Sequence, residues 1–267
     1  MTSSYRALIV SAHPDDIEFG CAGTVAKWVS EGADVTYCIV TDGSTGTQDR
    51  ELMGAPLNTI RKEEAQRVAE MVGVNEIVWL DYPDGYVEYT LDLRRDIARV
   101  FRRYQPHRFV VMDTAATIES RFINHPDHRA VGHASLDVTL TAGTTPGHFP
   151  ELLDEGLEPW RGLSEVWIMG PAPESVAVDI SKTIDLKLKA LACHESQLGP
   201  ASKEIEDRIR EWAADLGKPH GFAYAETFKV IAQGPGFHPG EQEEGISDLS
   251  KAPTDPRSNK PPAQSAE

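Results

Sequence analysis

The chain has 267 residues, 40% of them hydrophobic, which is enough to bury one sizeable core, and we predict a single domain over residues 1–236. A formal net charge of -16 at pH 7 makes association with phosphate backbones or anionic lipid unfavourable, so neither nucleic acid nor a membrane is expected as a partner. No apolar stretch reaches the roughly 20 residues of a bilayer-spanning helix. The three cysteines are far apart and form no Cys-x-x-Cys pair, so we expect reduced thiols in a cytoplasmic protein.

Short apolar runs rich in β-branched residues alternate along the chain with amphipathic segments. This alternation is typical of an α/β fold in which helices cover both faces of a mostly parallel sheet. The predicted strands are residues 7–12, 35–40, 76–80, 108–112, 165–169, 175–180 and 227–233.

Amphipathic segments between these strands are predicted to be helices. "NTIRKEEAQRVAEMVG" has apolar residues at helical spacing, with Asn58 or Thr59 as the N-cap and Gly73 as the stop. "LDLRRDIARVFRRY" and "DHRAVGHASLDVTL" are predicted to be helical too, and so is "SKTIDLKLKALACHESQ", which begins with a Ser cap. Residues 237–267 are rich in Pro, Ser and charge with little to bury, so we expect an extended, mobile C-terminal tail.

At least one carboxylate follows each of the first four predicted strands. Because the carboxyl ends of the strands meet at one edge of an α/β sheet, where ligands bind, we expect these groups to lie close together. Clustered carboxylates repel one another unless a positive charge lies among them. At any single position an aspartate that caps a helix or forms a turn is an equally good explanation. The residues are Asp15, Asp16, Asp42, Asp81, Asp84 and Asp113.

The tripeptide His-Pro-Asp occurs twice, in "SAHPDDIEFG" and in "NHPDHRAVG". His13 and Asp16 are three residues apart and can reach one ion if the chain turns after the strand, a turn that Pro14 stiffens. A catalytic zinc site has three protein ligands and an open position for water, so one more imidazole would complete it. The second motif offers two candidates, His128 at the start of a predicted helix and His125 on the loop before it.

These motifs resemble those of a known family. A strand, then Ala-His-Pro-Asp-Asp, then a distant His-Pro-Asp-His is similar to the signature of the LmbE/PIG-L family of zinc-dependent N-deacetylases, which act on N-acetylglucosaminyl groups and have a Rossmann-like fold. The resemblance extends over about residues 5–235 and includes "TDGSTGT" and "YAETFKV". These accessory segments are most similar to the diacetylchitobiose deacetylase branch, rather than to the mycothiol or bacillithiol branches.

The resemblance implies a ligand set and a pair of catalytic groups. His13, Asp16 and His128 would bind one zinc ion per chain, although the same ligands admit iron(II) or cobalt. Asp15 would be the general base and His125 would lie opposite it. The implied substrate is a small N-acetylated amino sugar.

The resemblance also suggests contacts to the sugar. Arg61 and Asp84 are the implied sugar contacts, and we add Asp42 to the predicted substrate-binding set. Where many members have His-Arg-Ser-Gln, this chain has Glu195 in place of the arginine. The loop "GPGFHPG" carries His238, which is expected to pack on its own subunit or, as the resemblance suggests, to reach a neighbouring chain in a homo-oligomer and help to close that chain's sugar pocket.

Amide hydrolysis fits the residues themselves, because it requires an activated water, a stabilised oxyanion and a proton for the amine. Asp15 is adjacent to a ligand but is not one, so it can take a proton from water and pass it to the leaving amine. His125, if protonated, can stabilise the oxyanion or donate the leaving-group proton, and Asp127 is placed to keep it protonated. The sequence does not divide the acid role between Asp15 and His125.

Two other functions share part of this evidence. A deacetylase or amidase of a thiol-sugar conjugate would have the same zinc site, and only its substrate pocket would differ. A nucleotide- or metal-binding Rossmann-like module without catalysis is indicated by fold and glycine content alone. No G-x-G-x-x-G follows a strand, so Gly43 and Gly46 are predicted to be turn residues. The pairing of Asp15 with His125 argues against the module, since a sensor needs no base.

Overall fold

The computed structural model describes residues 5–115, 118–119, 122–170, 176–199, 202–233 and 246–248, and within them strands and helices alternate along the chain. The strands are β1 (Arg6–Ser11), β2 (Asp34–Thr41), β3 (Glu76–Tyr82), β4 (Arg108–Met112), β5 (Ile118–Glu119), β6 (Phe122–Ile123), β7 (Glu165–Met169), β8 (Val176–Asp179), β9 (Ala225–Ala232) and β10 (Ile246–Asp248). The helices are α1 (Asp16–Gly20), α2 (Ala22–Ser30), α3 (Ala55–Val72), α4 (Leu91–Tyr104), α5 (Pro126–Asp137), α6 (Glu151–Asp154), α7 (Ile184–Ala192), α8 (Glu195–Leu198) and α9 (Ser202–Gly217), with a π-helical turn at Val138–Ala142 and a 3-10 turn at Lys218–His220.

Eight of these strands form one sheet in the order β3-β2-β1-β4-β7-β9-β8-β10. The first five in that order are parallel, and β9, β8 and β10 each pair antiparallel to their neighbours. Strands β5 and β6 form a separate antiparallel pair. The predicted α/β fold with a mostly parallel sheet is confirmed.

Among the parallel strands, the strand order changes direction once, at β1. The chain passes from β1 to β2 and β3 on one side, then returns to β4 on the other side of β1. Right-handed crossovers in opposite directions place the connecting helices on opposite faces of the sheet. Accordingly, α2 and α3 pack with α7, while α4 and α5 pack with the π-helical turn. Ligands bind beyond the carboxyl ends of the strands at such a switch point, which here lies between β1 and β4.

The start of helix α3 differs from the sequence prediction. Helix α3 begins at Ala55 after Gly54, because Pro56 suits the first helical turn, so the predicted cap at Asn58 or Thr59 is wrong. The Asn58 amide instead donates to the backbone oxygen of Asp42 at 2.8 Å. Gly73 ends the helix in a left-handed conformation, as predicted.

The helix predicted over residues 181–197 is interrupted. Helix α7 begins only at Ile184, because the Ser181 hydroxyl donates to the Asp179 carboxylate instead of capping a helix. The helix ends at Ala192, and a separate turn, α8, follows His194.

Part of the predicted C-terminal tail is paired in the sheet. Residues 246–248 form β10 against β8, and Ile246 is buried. The rest of residues 237–267, including His238, lies outside the described residues. Within the described ranges, no helix is long and apolar enough to cross a bilayer.

Candidate active site

The first motif forms the turn between β1 and α1, at the switch point of the sheet. Strand β1 ends at Ser11, and the chain turns so that the backbone N–H of His13 donates to Asp16 Oδ2 at 2.7 Å. Asp15 precedes α1 with φ at 98°, a left-handed conformation that is costly for a residue with a Cβ. Such strain, of the order of 1–3 kcal/mol, is concentrated at functional sites where a side chain must be aimed in one direction.

Three potential metal donors converge at this turn. His13 Nδ1 lies 3.2 Å from His128 Nε2 and 3.4 Å from Asp16 Oδ2, and His128 Nε2 lies 3.1 Å from Asp16 Oδ1. Zinc bonds of about 2.0 to 2.1 Å place neighbouring tetrahedral donors about 3.3 Å apart. The distances among these side chains are close to that value, with Asp16 Oδ2 facing His13 and Oδ1 facing His128, so together they can supply three ligands to one ion and leave a fourth position for another.

The other nitrogen of His13 faces two carboxylates. His13 Nε2 lies 3.1 Å from Asp84 Oδ1 and 3.2 Å from Asp127 Oδ2. The Asp127 carboxylate also accepts from the backbone N–H groups of Gly85 at 2.8 Å and Val87 at 3.2 Å. A proton on Nε2 directed at these carboxylates leaves the Nδ1 lone pair free for an ion, which is how carboxylates orient metal-binding histidines.

Two other groups of three potential ligands also come within 4.8 Å of one another, namely His13 with Asp84 and Asp127, and His13 with His125 and His128. The first is a poorer ion site, because the Asp127 oxygens are already shared between His13 and two backbone N–H groups. The second is poorer because His125 Nδ1 accepts from the backbone N–H of Asp127 at 3.2 Å, which leaves a proton on Nε2. We therefore favour the set that contains Asp16.

The electrostatics of the turn favour a positive charge. Burial lowers the pKa of His13, but the carboxylates of Asp16, Asp127 and Asp84 outweigh it and raise that pKa to about 12. Burial raises the pKa of Asp16, but His128 and His13 hold it well below its usual range. A cation is thus stabilised here, and a divalent metal ion can replace the proton.

The half-buried Asp15 pairs with the buried Arg61 beside the three donors. Burial raises the pKa of Asp15 to about 7, against the opposing effect of Arg61. The Arg61 guanidinium donates to Asp15 Oδ2 at 3.2 Å, to the Pro14 oxygen at 2.5 Å and to the Gly43 oxygen at 3.1 Å. A Cβ at Gly46 would lie 2.9 Å from Arg61 Nη1, so this glycine makes room for the arginine, a role that the sequence analysis missed.

The second motif begins α5 and places His125 against the first motif. The His125 ring meets the His13 ring edge-on, with centroids 4.8 Å apart. Burial and the neighbouring His13 lower the pKa of His125. Asp127 was predicted to hold His125 in its protonated form, and its charge does raise the pKa of His125, but burial and His13 outweigh it, and the bonds of the Asp127 carboxylate go to His13 and the backbone. The lowered pKa favours a neutral His125 imidazole, and the bond that Nδ1 accepts from the Asp127 N–H favours the tautomer with its proton on Nε2.

The predicted sugar contacts occupy different surroundings. Arg61 is 3% exposed and Asp84 is 5% exposed, and both are bonded within the protein, so each fits a positioning role better than a sugar contact. Asp42 is half-buried and lines a hollow of about 340 Å³ with Lys62 and Asp81. His238 belongs to the part of the chain that the structure leaves undescribed.

Residues 194–197 bond to the two helices, α1 and α3, that carry Asp16 and Arg61. His194 Nε2 lies 2.9 Å from Glu18 Oε2 on α1, and both residues are buried. The N–H and hydroxyl of Ser196 donate to the Glu64 carboxylate on α3 at 2.8 and 2.7 Å. Glu195, which departs from the family pattern, is exposed, so the departure leaves these contacts intact.

Comparison with known proteins gives concordant matches. Residues 8–139 match the family model described as PIG-L, GlcNAc-PI de-N-acetylase. The chain is 34% identical to the diacetylchitobiose deacetylase of Thermococcus kodakarensis, over 85% of this chain and 83% of that protein. It is 25% identical to a probable N-acetyl-alpha-D-glucosaminyl L-malate deacetylase 2 of Bacillus anthracis, over 79% of this chain and 91% of that protein.

Among solved structures, the N,N'-diacetylchitobiose deacetylase from Pyrococcus horikoshii, complexed with its inhibitor MPG, superposes with a TM-score of 0.80 at 32% sequence identity. The match covers 86% of this chain and 85% of that one. The fold and the length of the chain thus agree with those of the enzymes that it resembles in sequence.

Proposed function

This chain belongs to the PIG-L/LmbE family of N-deacetylases, and from that premise we propose that it is a metal-dependent hydrolase that removes the N-acetyl group from an N-acetylglucosamine-containing small molecule or oligosaccharide. The observation that carries the proposal is the convergence of His13 Nδ1, His128 Nε2 and the Asp16 carboxylate, whose two oxygens face the two imidazoles, at distances of 3.1 to 3.4 Å. The non-ligating carboxylate of Asp15 lies beside them. A metal-binding module without catalysis would need these three ligands, but it would not need Asp15.

The proposed metal ion is zinc, held by His13, Asp16 and His128, because two imidazoles and one carboxylate suit that ion. When bound, zinc would lower the pKa of a coordinated water to about 7 and polarise the carbonyl of the amide. Asp84 and Asp127 would keep His13 oriented and electron-rich through its Nε2–H. Iron(II) or cobalt can occupy the same donors.

Asp15 is the proposed general base. Its carboxylate takes a proton from the attacking water and delivers it to the amine as the C–N bond breaks. A pKa raised to about 7 by burial suits both halves of this task near neutral pH, since the group gains and loses a proton with little bias. Arg61, which donates to Asp15 Oδ2 and to the Pro14 oxygen, holds the carboxylate in place.

His125 is the proposed stabiliser of the oxyanion. Its Nδ1 accepts from the backbone N–H of Asp127, so Nε2 carries the proton and can donate to the developing negative charge. A neutral donor is sufficient for this role. Asp15, rather than His125, then transfers the proton to the leaving amine.

The first substrate class to test is a short oligomer of N-acetylglucosamine, because the relatives at 34% and 32% identity are named as diacetylchitobiose deacetylases. N-Acetylglucosaminyl malate is the second candidate, supported by the relative at 25% identity. The homo-oligomer with His238 in a neighbour's pocket and the cytoplasmic location stay predictions. The latter agrees with three free cysteines, Cys21, Cys38 and Cys193.

An acetate-release screen with zinc-loaded protein tests the proposal. The substrates are N-acetylglucosamine, its dimer and trimer, the N-acetylglucosaminyl malate conjugate and a mycothiol-type conjugate. We expect acetate and free amine in equal amounts from at least one of the first three. Release from the conjugates alone would favour a deacetylase that acts on such conjugates rather than on N-acetylglucosamine oligomers. Release from none of the substrates would refute the deacetylase assignment.

A further inference from the structure

A cavity of about 630 Å³ opens beside the three metal donors. Two of the proposed ligands, Asp16 and His128, form part of its wall. Most of the remaining wall within the described ranges is apolar and comes from α1, the ends of β4 and β7, and α9. These side chains are Phe19, Met112, Met169, Ile209, Trp212 and Leu216.

Two of the charged groups in the wall, Lys187 and Glu226, are paired with each other, whereas Asp113 accepts only from the Ala115 N–H through Oδ1 at 3.1 Å and its Oδ2 has no partner among the described residues. The Lys187 ammonium, 1% exposed, donates to the Glu226 carboxylate at 2.6 Å and to the Phe19 oxygen at 2.7 Å. Glu226 also accepts from the backbone N–H groups of Gly23 and Thr24 at the start of α2. The polar groups Asp16, His128, Asp113 and Asn124 belong to the wall as well, but most of its side chains are apolar, which favours an apolar ligand group.

The side of the metal centre on which this cavity lies indicates which half of the substrate enters it. The leaving amine must come within hydrogen-bond reach of the group that protonates it. The proposed proton carrier Asp15 and the donor His125 are both described, and neither lines the cavity. If the carbonyl oxygen of the amide is at the metal and the sugar nitrogen faces Asp15, the alkyl group on the carbonyl carbon faces Asp16, His128 and the cavity.

The cavity is much larger than an acetyl group requires. A methyl group is about the size of a water molecule, which occupies about 30 Å³ in the liquid. The cavity also shares Phe19, Ile209 and Trp212 with a second hollow of about 570 Å³ along α9. Trp212 is 51% exposed, so a linear group that fills the first cavity can continue past this indole to the surface.

We propose that this cavity binds a linear aliphatic acyl chain, so that the enzyme hydrolyses N-acyl amino sugars whose acyl group is longer than acetyl. The inference rests on the proposed deacetylase function and names its substrate class more closely. The reaction is the same hydrolysis: water oxygen bonds to the acyl carbon, the C–N bond breaks, and the products are a fatty acid and the free amine with the transferred proton.

A chain-length series tests the proposal with the full-length, zinc-loaded protein. Glucosamine carrying N-acetyl, N-butanoyl, N-hexanoyl or N-octanoyl groups is hydrolysed, and the free amine is quantified. A buried methylene contributes about 0.8 kcal/mol, which corresponds to about a fourfold rise in kcat/KM for each one. We expect kcat/KM to rise from acetyl to hexanoyl, and a steady fall from acetyl onward would overturn the proposal.

Two neighbouring residues of α9 provide matched variants. Ala213 lines the cavity and is 2% exposed, whereas Ala214 is not part of the described wall. We expect Ala213→Phe to lower the octanoyl-to-acetyl ratio of kcat/KM by at least about tenfold, and Ala214→Phe to leave the ratio unchanged. If Ala213→Phe does not fold, Trp212→Ala removes an exposed part of the same wall and should lower the ratio several-fold.

The outcomes separate this inference from the proposed function. Acetate release without any preference for longer chains would overturn the acyl pocket and leave the deacetylase intact. Faster hydrolysis of alkyl glycosides of N-acetylglucosamine, without faster hydrolysis of long acyl groups, would assign the cavity to the aglycone and overturn the proposal. No hydrolysis of any N-acyl amino sugar would refute the function itself.

Discussion

Replacing Asp127 by Asn tests how His13 is held. The Asp127 carboxylate is fully buried and accepts from His13 Nε2 at 3.2 Å and from the backbone N–H groups of Gly85 and Val87. The substitution keeps the shape but removes the charge and one acceptor. It therefore weakens the orientation of His13 while the three donor atoms stay in place.

The size of the effect follows from the contacts. Loss of a carboxylate that supports a metal-binding histidine typically costs 10- to 100-fold in metal affinity, or about 1.4 to 2.7 kcal/mol. Asp84 Oδ1, at 3.1 Å from His13 Nε2, still supports the ring in this variant. We therefore expect the zinc Kd to rise by about tenfold, which is the lower end of that 10- to 100-fold range. One backbone N–H loses its acceptor, so the metal-free protein should lose about 1–3 kcal/mol of stability.

The assay is competition for zinc with a chromophoric chelator, accompanied by thermal unfolding of the metal-free protein. Asp137→Asn is the matched control, because it changes an aspartate at the exposed end of the same helix, where the carboxylate pairs with Arg94 at 2.9 Å. Its zinc Kd should stay at the wild-type value. A wild-type zinc Kd for Asp127→Asn combined with lost activity would refute this reasoning and favour the expectation that Asp127 acts on His125.

Three further outcomes follow from the same geometry. His13→Ala combined with His128→Ala removes two of the three donors, so elemental analysis should find almost no zinc, and a full equivalent would disprove the ligand set. Because burial raises the pKa of Asp15 to about 7 and a base acts only when ionised, kcat/KM should rise with pH up to about 7; a flat profile over about pH 5 to 8 would contradict the role. A Cβ at Gly132 would lie 2.5 Å from the backbone oxygen of Met112, so Gly132→Ala should cost about 1–3 kcal/mol of stability and weaken zinc binding by displacing α5. Gly147→Ala, whose Cβ meets nothing within 4 Å, is the control, and equal melting temperatures for the two variants would show that the helix is not so tightly packed.

The sheet and the position of the site were predictable because both depend on local patterns. Strands β4 and β7 match their predicted bounds, since an apolar run between polar residues defines a buried strand. The rule that strand ends meet at one edge was sufficient to predict that His13 and Asp84 lie close together, and their side chains are 3.1 Å apart. The direction of β9 was beyond such reasoning, because an apolar strand has the same pattern whether it pairs parallel or antiparallel.

The role of each polar residue was less predictable, because it depends on contacts between parts of the chain that are distant in sequence. Asp127 supports His13 because the loop after β3 brings the Gly85 and Val87 N–H groups to the start of α5. Arg61 orients Asp15 from a buried position that exists only because Gly46 leaves space for its guanidinium. The sequence shows an arginine and a glycine at these positions, but not their proximity.

The central claim is that Asp15 performs the chemistry beside a metal ion that it does not bind, and Asp15→Asn tests it most directly. The measurement is acetate release from an N-acetylglucosamine oligomer, with the zinc content of the same sample determined in parallel. We predict one zinc ion per chain in wild type and variant alike, and a fall in kcat of about 10²- to 10⁴-fold in the variant. Turnover within a few-fold of wild type, or loss of zinc together with activity, would contradict this account.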